Sequence, residues 1–330
     1  MNTITKCSTL AAVNEILLDR QLFLQDRLIQ SRALYAHSLT TLEYNNCKHL
    51  LTKNAQQQLC NILDIPIKYM RRCYKINKLQ SRNIQSLLDQ EPEFKKYLIR
   101  FDGSDIRAIL SSDKYQIINN IAILKILLNV YSKDIEVNYL INNDFFMINI
   151  LPEQKILRGK FSKEAFKIGI SISNSETGQH AFTISSYILR VVCTNGLIVA
   201  DSQNKLVYRH VKKNKPLHLE RLICEVLPLK ANSTNISLLQ SNIIDKLDKT
   251  YTIRVSNTLE TIKKISKLLN LTRLEYEATI WGINVEPGDT LYHIINALTK
   301  GAQYPLLSEA NVYNLLKAGG KAIDLVNQLV

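Results

Sequence analysis

Lys68, Arg71, Arg72 and Lys75 fall at i, i+3, i+4 and i+7, the spacing that sets side chains on one face of an α-helix. Lys78 and Arg82 continue the row if the helix runs from Pro66 to residue 82, and no acid occurs between Asp64 and Asp89. Exposed helix faces usually mix signs, because i,i+4 ion pairs stabilise them. An unneutralised stripe suits a polyanion, since each phosphate contact releases a counterion. The other reading is a solvated face, or one paired with acids from elsewhere in the chain. Ile67, Met70 and Tyr74 would form the apolar stripe of the same helix. A second acid-free stretch, 202–219, holds Lys205, Arg209, Lys212, Lys213 and Lys215, with Tyr208 and His210 among them. Cations interleaved with rings suit a groove that tracks a single strand, neutralising phosphates and stacking bases. Arg107, Lys114 and Tyr115 flank the end of an apolar strand and join the candidate nucleic-acid contacts. Arg107 equally suits a buried position paired with Asp105 or Asp113.

The remaining reactive side chains argue against catalysis. In "LRVVCTNGLIVADS", Asn195-Gly196 between β-branched runs signals a two-residue type I′ hairpin turn. Cys193 then lies in a strand beside Leu189 and Val191, where a free cysteine acts as a small hydrophobe. No histidine is arranged to activate it. The cysteines at 7, 47, 60, 73, 193 and 224 form no Cys-x-x-Cys pair, and Cys47, His49 and Cys60 match no zinc spacing, so no metal is expected. Neither Gly-x-x-x-x-Gly-Lys-Ser/Thr nor Gly-x-Gly-x-x-Gly occurs, so no nucleotide cofactor is expected. Glu93-Phe94-Lys95 and Glu153-Gln154-Lys155 have the Glu-x-Lys form found in metal-dependent nucleases, without an obvious upstream Asp to share a metal. Asp102, Asp105 and Asp113 read as turn and cap residues.

These residues need a scaffold. The 330 residues are 46% hydrophobic and 22% charged, enough for one large domain or two smaller ones. No apolar run approaches the ~18 residues of a membrane span. Glu15 and Asp19 interrupt the N-terminal apolar patch, so a cytoplasmic protein without an anchor is expected. Forty-two basic against 29 acidic residues give +13, which favours polyanionic partners, although an AT-rich codon bias would also raise lysine. Residues 1–50 read as helix with loops. Thr52 caps a helix carrying Ala55, Leu59, Ile62 and Leu63, and Pro66 opens the next. Strands follow at 96–101 and 106–112 around Gly103, then a helix at 119–131. Further strands at 134–141, 145–152, 164–173, 181–194, 196–201 and 206–211 are joined by short turns. Beyond Pro216 the pattern is helical, with Asn257, Asp289 and Ser308 as caps and a stop at Gly319-Gly320. The expected fold is α+β: a central, mostly antiparallel sheet with an inserted helix, a helical N-terminal region and a helical C-terminal third. The expected division is an extension over 1–50, a core over 51–215, and a helical region over 216–330 packed on the core.

Four stretches, "LTKNAQQQLCNILDIPIKYMRR", "YLIRFDGSDIRAILSSDKYQIINN", "FKIGISISNSETGQHAFTISSYILRVVCTNG" and "TLYHIINALTKGAQ", occur in an order and spacing that resembles the phage- and plasmid-borne family known as domain of unknown function 932. The resemblance spans roughly residues 50–300. It implies a mobile-element setting and supplies no catalytic residues. The residues themselves favour a non-enzymatic nucleic-acid-binding protein, with single-stranded DNA the favoured partner. ATP-independent strand annealing by a homo-oligomeric ring or filament is the extension by analogy. A metal-dependent nuclease or other processing enzyme, and an anti-defence module that binds a host protein, are the alternatives.

Overall fold

A computed structural model of the chain describes residues 6–76, 78–111, 115–151, 156–191, 196–199, 206–211, 218–226 and 244–325. Its largest element is an antiparallel sheet. In spatial order it runs β1 (Lys6–Thr9), β8 (Glu136–Ile141), β9 (Phe146–Ile150), β11 (Ala165–Asn174), β12 (Phe182–Arg190) and β13 (Gly196–Val199). β10 (Leu157–Arg158) adds to β11, and β14 (Leu206–Tyr208) adds to β12. Both faces are covered, which is why β9 is buried along its whole length. Phe146, Ile148, Ile150, Ile172 and Ile184 pack toward α1 (Leu10–Gln21) and α5 (Asn120–Val130). Phe145, Met147 and Tyr187 share the opposite core with α7 (Thr258–Leu268), α8 (Arg273–Val285), α9 (Leu291–Gly301) and α10 (Glu309–Asp324). The α+β class, the antiparallel sheet, the inserted helix and the helical C-terminal third follow the sequence periodicity. Among the described residues no helix is long and apolar enough to cross a membrane.

A third core lies between two three-stranded sheets and three helices. β2 (Leu24–Gln30), β6 (Lys96–Asp102) and β7 (Asp105–Ser111) form one sheet; β3 (Tyr35–Ser38), β4 (Thr41–Tyr44) and β5 (Cys47–Leu50) form the other. Ile29, Leu42, Leu59, Met70, Ile84 and Ile99 meet between these sheets and α2 (Lys53–Ile62), α3 (Ile67–Cys73) and α4 (Leu79–Gln90). Thr52 caps α2 as expected, its Oγ1 accepting from the Ala55 amide at 3.2 Å. The first fifty residues correct the sequence reading, since α1 is their α-helix and the rest is mainly strand. Of these strands, β1, β2, β3 and β5 lie at sheet edges. Only Ile29 of β2 is buried, and no residue of β5 is, so apolar and polar positions do not alternate. The missed signal is Asn45-Asn46, both at positive φ (50° and 62°), joining β4 to β5 where Tyr44 faces Cys47.

Two glycine expectations are also overturned. Gly196 is not the second turn residue: it opens β13 and pairs with Leu189, so residues 191–195 connect β12 to β13. A Cβ at Gly196 would come within 2.0 Å of the Tyr187 hydroxyl, so this glycine makes room for a ring. Cys193 and Asn195 lie outside the described residues. Gly319 and Gly320 do not end their helix, because α10 runs on to Asp324. They let it press onto β13, where a Cβ at Gly320 would approach the Ile198 carbonyl oxygen to 2.1 Å. Ser308 does cap α10, and Asn257 caps α7; Thr290 rather than Asp289 starts α9, while Asp289 pairs with Arg254 at 2.6 Å. Gly320→Ala is therefore expected to lower stability by about 1–3 kcal/mol through overpacking, although alanine is the better helix former. Urea unfolding reads this as a lower midpoint at constant m-value; a raised midpoint would show that helix and strand are free to part.

Candidate nucleic-acid interface

Pro66 stands at the N-cap of α3, and Met70 and Cys73 bury its inner face. Lys68, Arg71, Arg72 and Lys75 are exposed, as are Lys78 and Arg82. None of the six pairs with an acid among the described residues. The row does not run along a single helix. α3 ends at Cys73, Lys78 takes φ 55°, and Arg82 belongs to α4. The reason is Gln80, buried between the helices. Its Nε2 donates to the Met70 carbonyl at 2.9 Å, and its Oε1 accepts from the Leu39 amide at 2.8 Å. That bond satisfies a carbonyl near the end of α3 and draws the chain back. Tyr74 leaves the expected apolar stripe and is 77% exposed, beside Tyr69 at 47% and exposed Ile76. The cations thus share their surface with two rings.

Arg107 and Tyr115 point inward instead. Arg107 is 3% exposed. Its acidic partners among the described residues are Glu176 at 3.8 Å and Asp102 at 3.9 Å, rather than Asp105, and Asp113 lies outside the described residues. Burial pushes its pKa below the ordinary arginine value, against the pull of Glu176 and Asp102. Arg100, next to it on the same sheet, makes two 2.8 Å bonds to Asp26 and one to Asn119, and lies 3.6 Å from Glu176. Burial opposes its charge, but the Asp26 hydrogen bond and the Glu176 carboxylate outweigh that and raise its pKa. Glu176 Oε1 also accepts from the Asn120 amide at the start of α5, at 2.7 Å. Tyr115 stacks on His210 with 5.2 Å between centroids, and its hydroxyl donates to the Ser175 carbonyl. That face of Tyr115 is already occupied.

The second basic stretch divides. Tyr208 is half-buried and donates to Gln116, while Arg209 is exposed. Lys114, Lys205, Lys212 and Lys213 lie outside the described residues. Tyr208 packs against the core of α1 and α5, and α3 against the core of the two small sheets. The described contacts do not join the two stretches into one groove.

The structure also gathers polar groups that sequence spacing did not connect. Ser173 Oγ lies 3.2 Å from His180 Nε2 and donates to the Tyr313 hydroxyl. Among the described residues no carboxylate hydrogen-bonds to the imidazole, and Ser173 is buried, so the pair is not set up as nucleophile and base. Burial, then Lys317 and His210, lowers the His180 pKa from 6.5 to about 4. Among the described residues no group of three His, Cys, Asp or Glu side chains is placed to hold a metal ion.

Two measurements test this interior. Glu176→Ala leaves two buried guanidiniums short of a carboxylate, an expected loss of about 3–5 kcal/mol by denaturant unfolding; a loss below about 1 kcal/mol would mean that Asp26 and Asp102 suffice. For His180, the unfolded chain binds more protons between pH 6.5 and about 4. Its stabilising contribution is complete above that window and lost as pH falls through it. His210 and His293 are lowered in the same direction. His180→Gln should therefore reduce the acid-side slope of stability against pH without abolishing it.

No curated protein and no solved structure matches the chain. The match to known sequences lies in the middle of the chain and is narrower than the four quoted stretches. It takes in β11 and β12 with the loop that carries Glu176, and leaves out α3 and its cations. Residues 110–217 match the family model described as Domain of unknown function (DUF932).

Proposed function

We propose that this protein binds single-stranded nucleic acid, with DNA the favoured partner, through the surface of residues 68–82. One observation carries the reading: six exposed cations without an acidic partner among the described residues share the segment 68–82 with exposed Tyr69 and Tyr74. Cations neutralise phosphates, and a ring beside them stacks a splayed base whatever its identity. The overall charge of +13 acts in the same direction. Duplex DNA buries its base faces, so the rings favour a single strand. ATP-independent annealing by a homo-oligomer extends this reading, and the free edge of β2 offers a surface for self-pairing. A nuclease reading lacks a comparable observation: Glu93 is engaged by Arg32 at 2.8 Å, and Glu153 lies outside the described residues.

Fluorescence anisotropy with matched single- and double-stranded oligonucleotides, across a salt series without divalent metal, tests the proposal. Tight, salt-steepened, strand-selective binding is the expected result. The quadruple variant K68A/R71A/R72A/K75A should weaken binding for all sequences and flatten the log–log salt slope by up to about 3, at ~0.7 per lost contact. Tyr74→Ala should cost about 1–3 kcal/mol of affinity and leave the slope unchanged. Unaltered affinity in the quadruple variant would remove the surface from consideration.

A further inference from the structure

Helices α7 and α8 meet at residues 269–272 and leave a pocket of about 630 Å3, within the range of small-molecule sites. Lys263, Ser266 and Lys267 lie about one turn apart on α7 and share a face. Arg273 and Tyr276 come from the first turn of α8. The lining contains three cations and no carboxylate. Glu275 is engaged away from the pocket, accepting from the Thr272 amide, Asn311 and Asn314, whereas Glu277 pairs with Arg273 of the lining and leaves Lys263 and Lys267 as the cations without a described acidic partner. The C-terminus of one helix and the N-terminus of the other meet at this turn, and their partial charges oppose each other. The sign of the pocket is therefore set by its side chains. Ser266 is 7% exposed, and its Oγ is buried with no hydrogen-bond partner among the described residues. A buried hydroxyl left unpaired is unfavourable, and an acceptor oxygen of a ligand would satisfy it.

We infer that this pocket binds a nucleoside monophosphate. Lys263 and Lys267 neutralise the phosphate, with Arg273 at the same wall. Ser266 donates to a ligand oxygen, and Tyr276, half-buried against the C-terminal core, offers its ring to the base. The inference stands apart from strand binding at residues 68–82, because it uses different helices and a different core.

The test is isothermal titration of the full chain with AMP, with adenosine and inorganic phosphate as partial ligands. Expected results are saturable AMP binding, competition by phosphate, and weaker binding of adenosine. K263Q/K267Q changes exposed positions to a comparable helix former and should weaken AMP binding at least about tenfold. Ser266→Ala should also weaken it without lowering the melting temperature of the unliganded protein. The inference is overturned by the absence of saturable AMP binding, by equal affinity for adenosine, or by unchanged affinity in K263Q/K267Q. It is overturned too by a lower unliganded melting temperature in Ser266→Ala, which would give the hydroxyl an internal partner. Single-strand affinity should be unchanged in K263Q/K267Q; an equal loss there would make the pocket part of the strand surface instead.

Discussion

Glu176 places a carboxylate, 5% exposed, between Arg100, Arg107 and the first amide of α5. A buried charge is tolerated only when it is paired and hydrogen-bonded, so everything around this group is constrained. Arg100 and Arg107 come from the small sheet of β2, β6 and β7, and Glu176 comes from the loop between β11 and β12 of the large sheet. The rest of that loop is held in the same way. Asn174, the last residue of β11, donates to the Ile118 carbonyl and to Asn120; within the loop Thr177 donates to Asp144, and Gln58 of α2 donates to the Thr177 carbonyl. Two units with separate apolar cores are thereby locked by polar bonds that tolerate little displacement. Apolar contact alone would let them slide.

The same lock separates the cations into two populations. Arg100 and Arg107 spend their charge on internal carboxylates. Lys68, Arg71, Arg72, Lys75, Lys78 and Arg82 project outward from the small unit, whose orientation the lock fixes. Net charge cannot tell these populations apart, since it counts buried and exposed arginines alike. The external row is shaped by an uncharged side chain. Gln80 ends α3 and turns the chain, so the cations spread over two helices and a turn, and Tyr74 is released from the core to stand among them. A single long helix would have placed that ring on the apolar face and left Tyr69 as the exposed ring of α3.

What could be read directly were the features that local chemistry controls. The period-two runs of β6 to β9, β11 and β12, the helical period of α5 and α9, and the Thr52 and Ser308 caps are set by residues within a few positions of each other. The basic row at 68–82 was legible for the same reason, because it needs nothing beyond its own turn. Edge strands β2 and β5 were illegible, since one buried residue in β2 and none in β5 leave no alternation to read. Glycine was ambiguous: Gly196, Gly319 and Gly320 have the composition of a turn and a stop, yet each makes space for a group distant in sequence or across a strand pair.

The sequence by itself determined the fold class, the strands of the large sheet apart from β1 and β10, and the presence of an acid-free cationic segment. Only the tertiary structure decided which cations reach solvent. It paired Arg107 with a carboxylate 69 positions away at Glu176, stacked Tyr115 on His210, and turned Tyr74 outward. It also brought Lys263, Ser266 and Lys267 to one wall with Arg273 and Tyr276. The physical reason is that secondary structure follows from neighbouring residues. Whether a charge is neutralised, or a ring is covered, depends on which distant segments the cores bring against it.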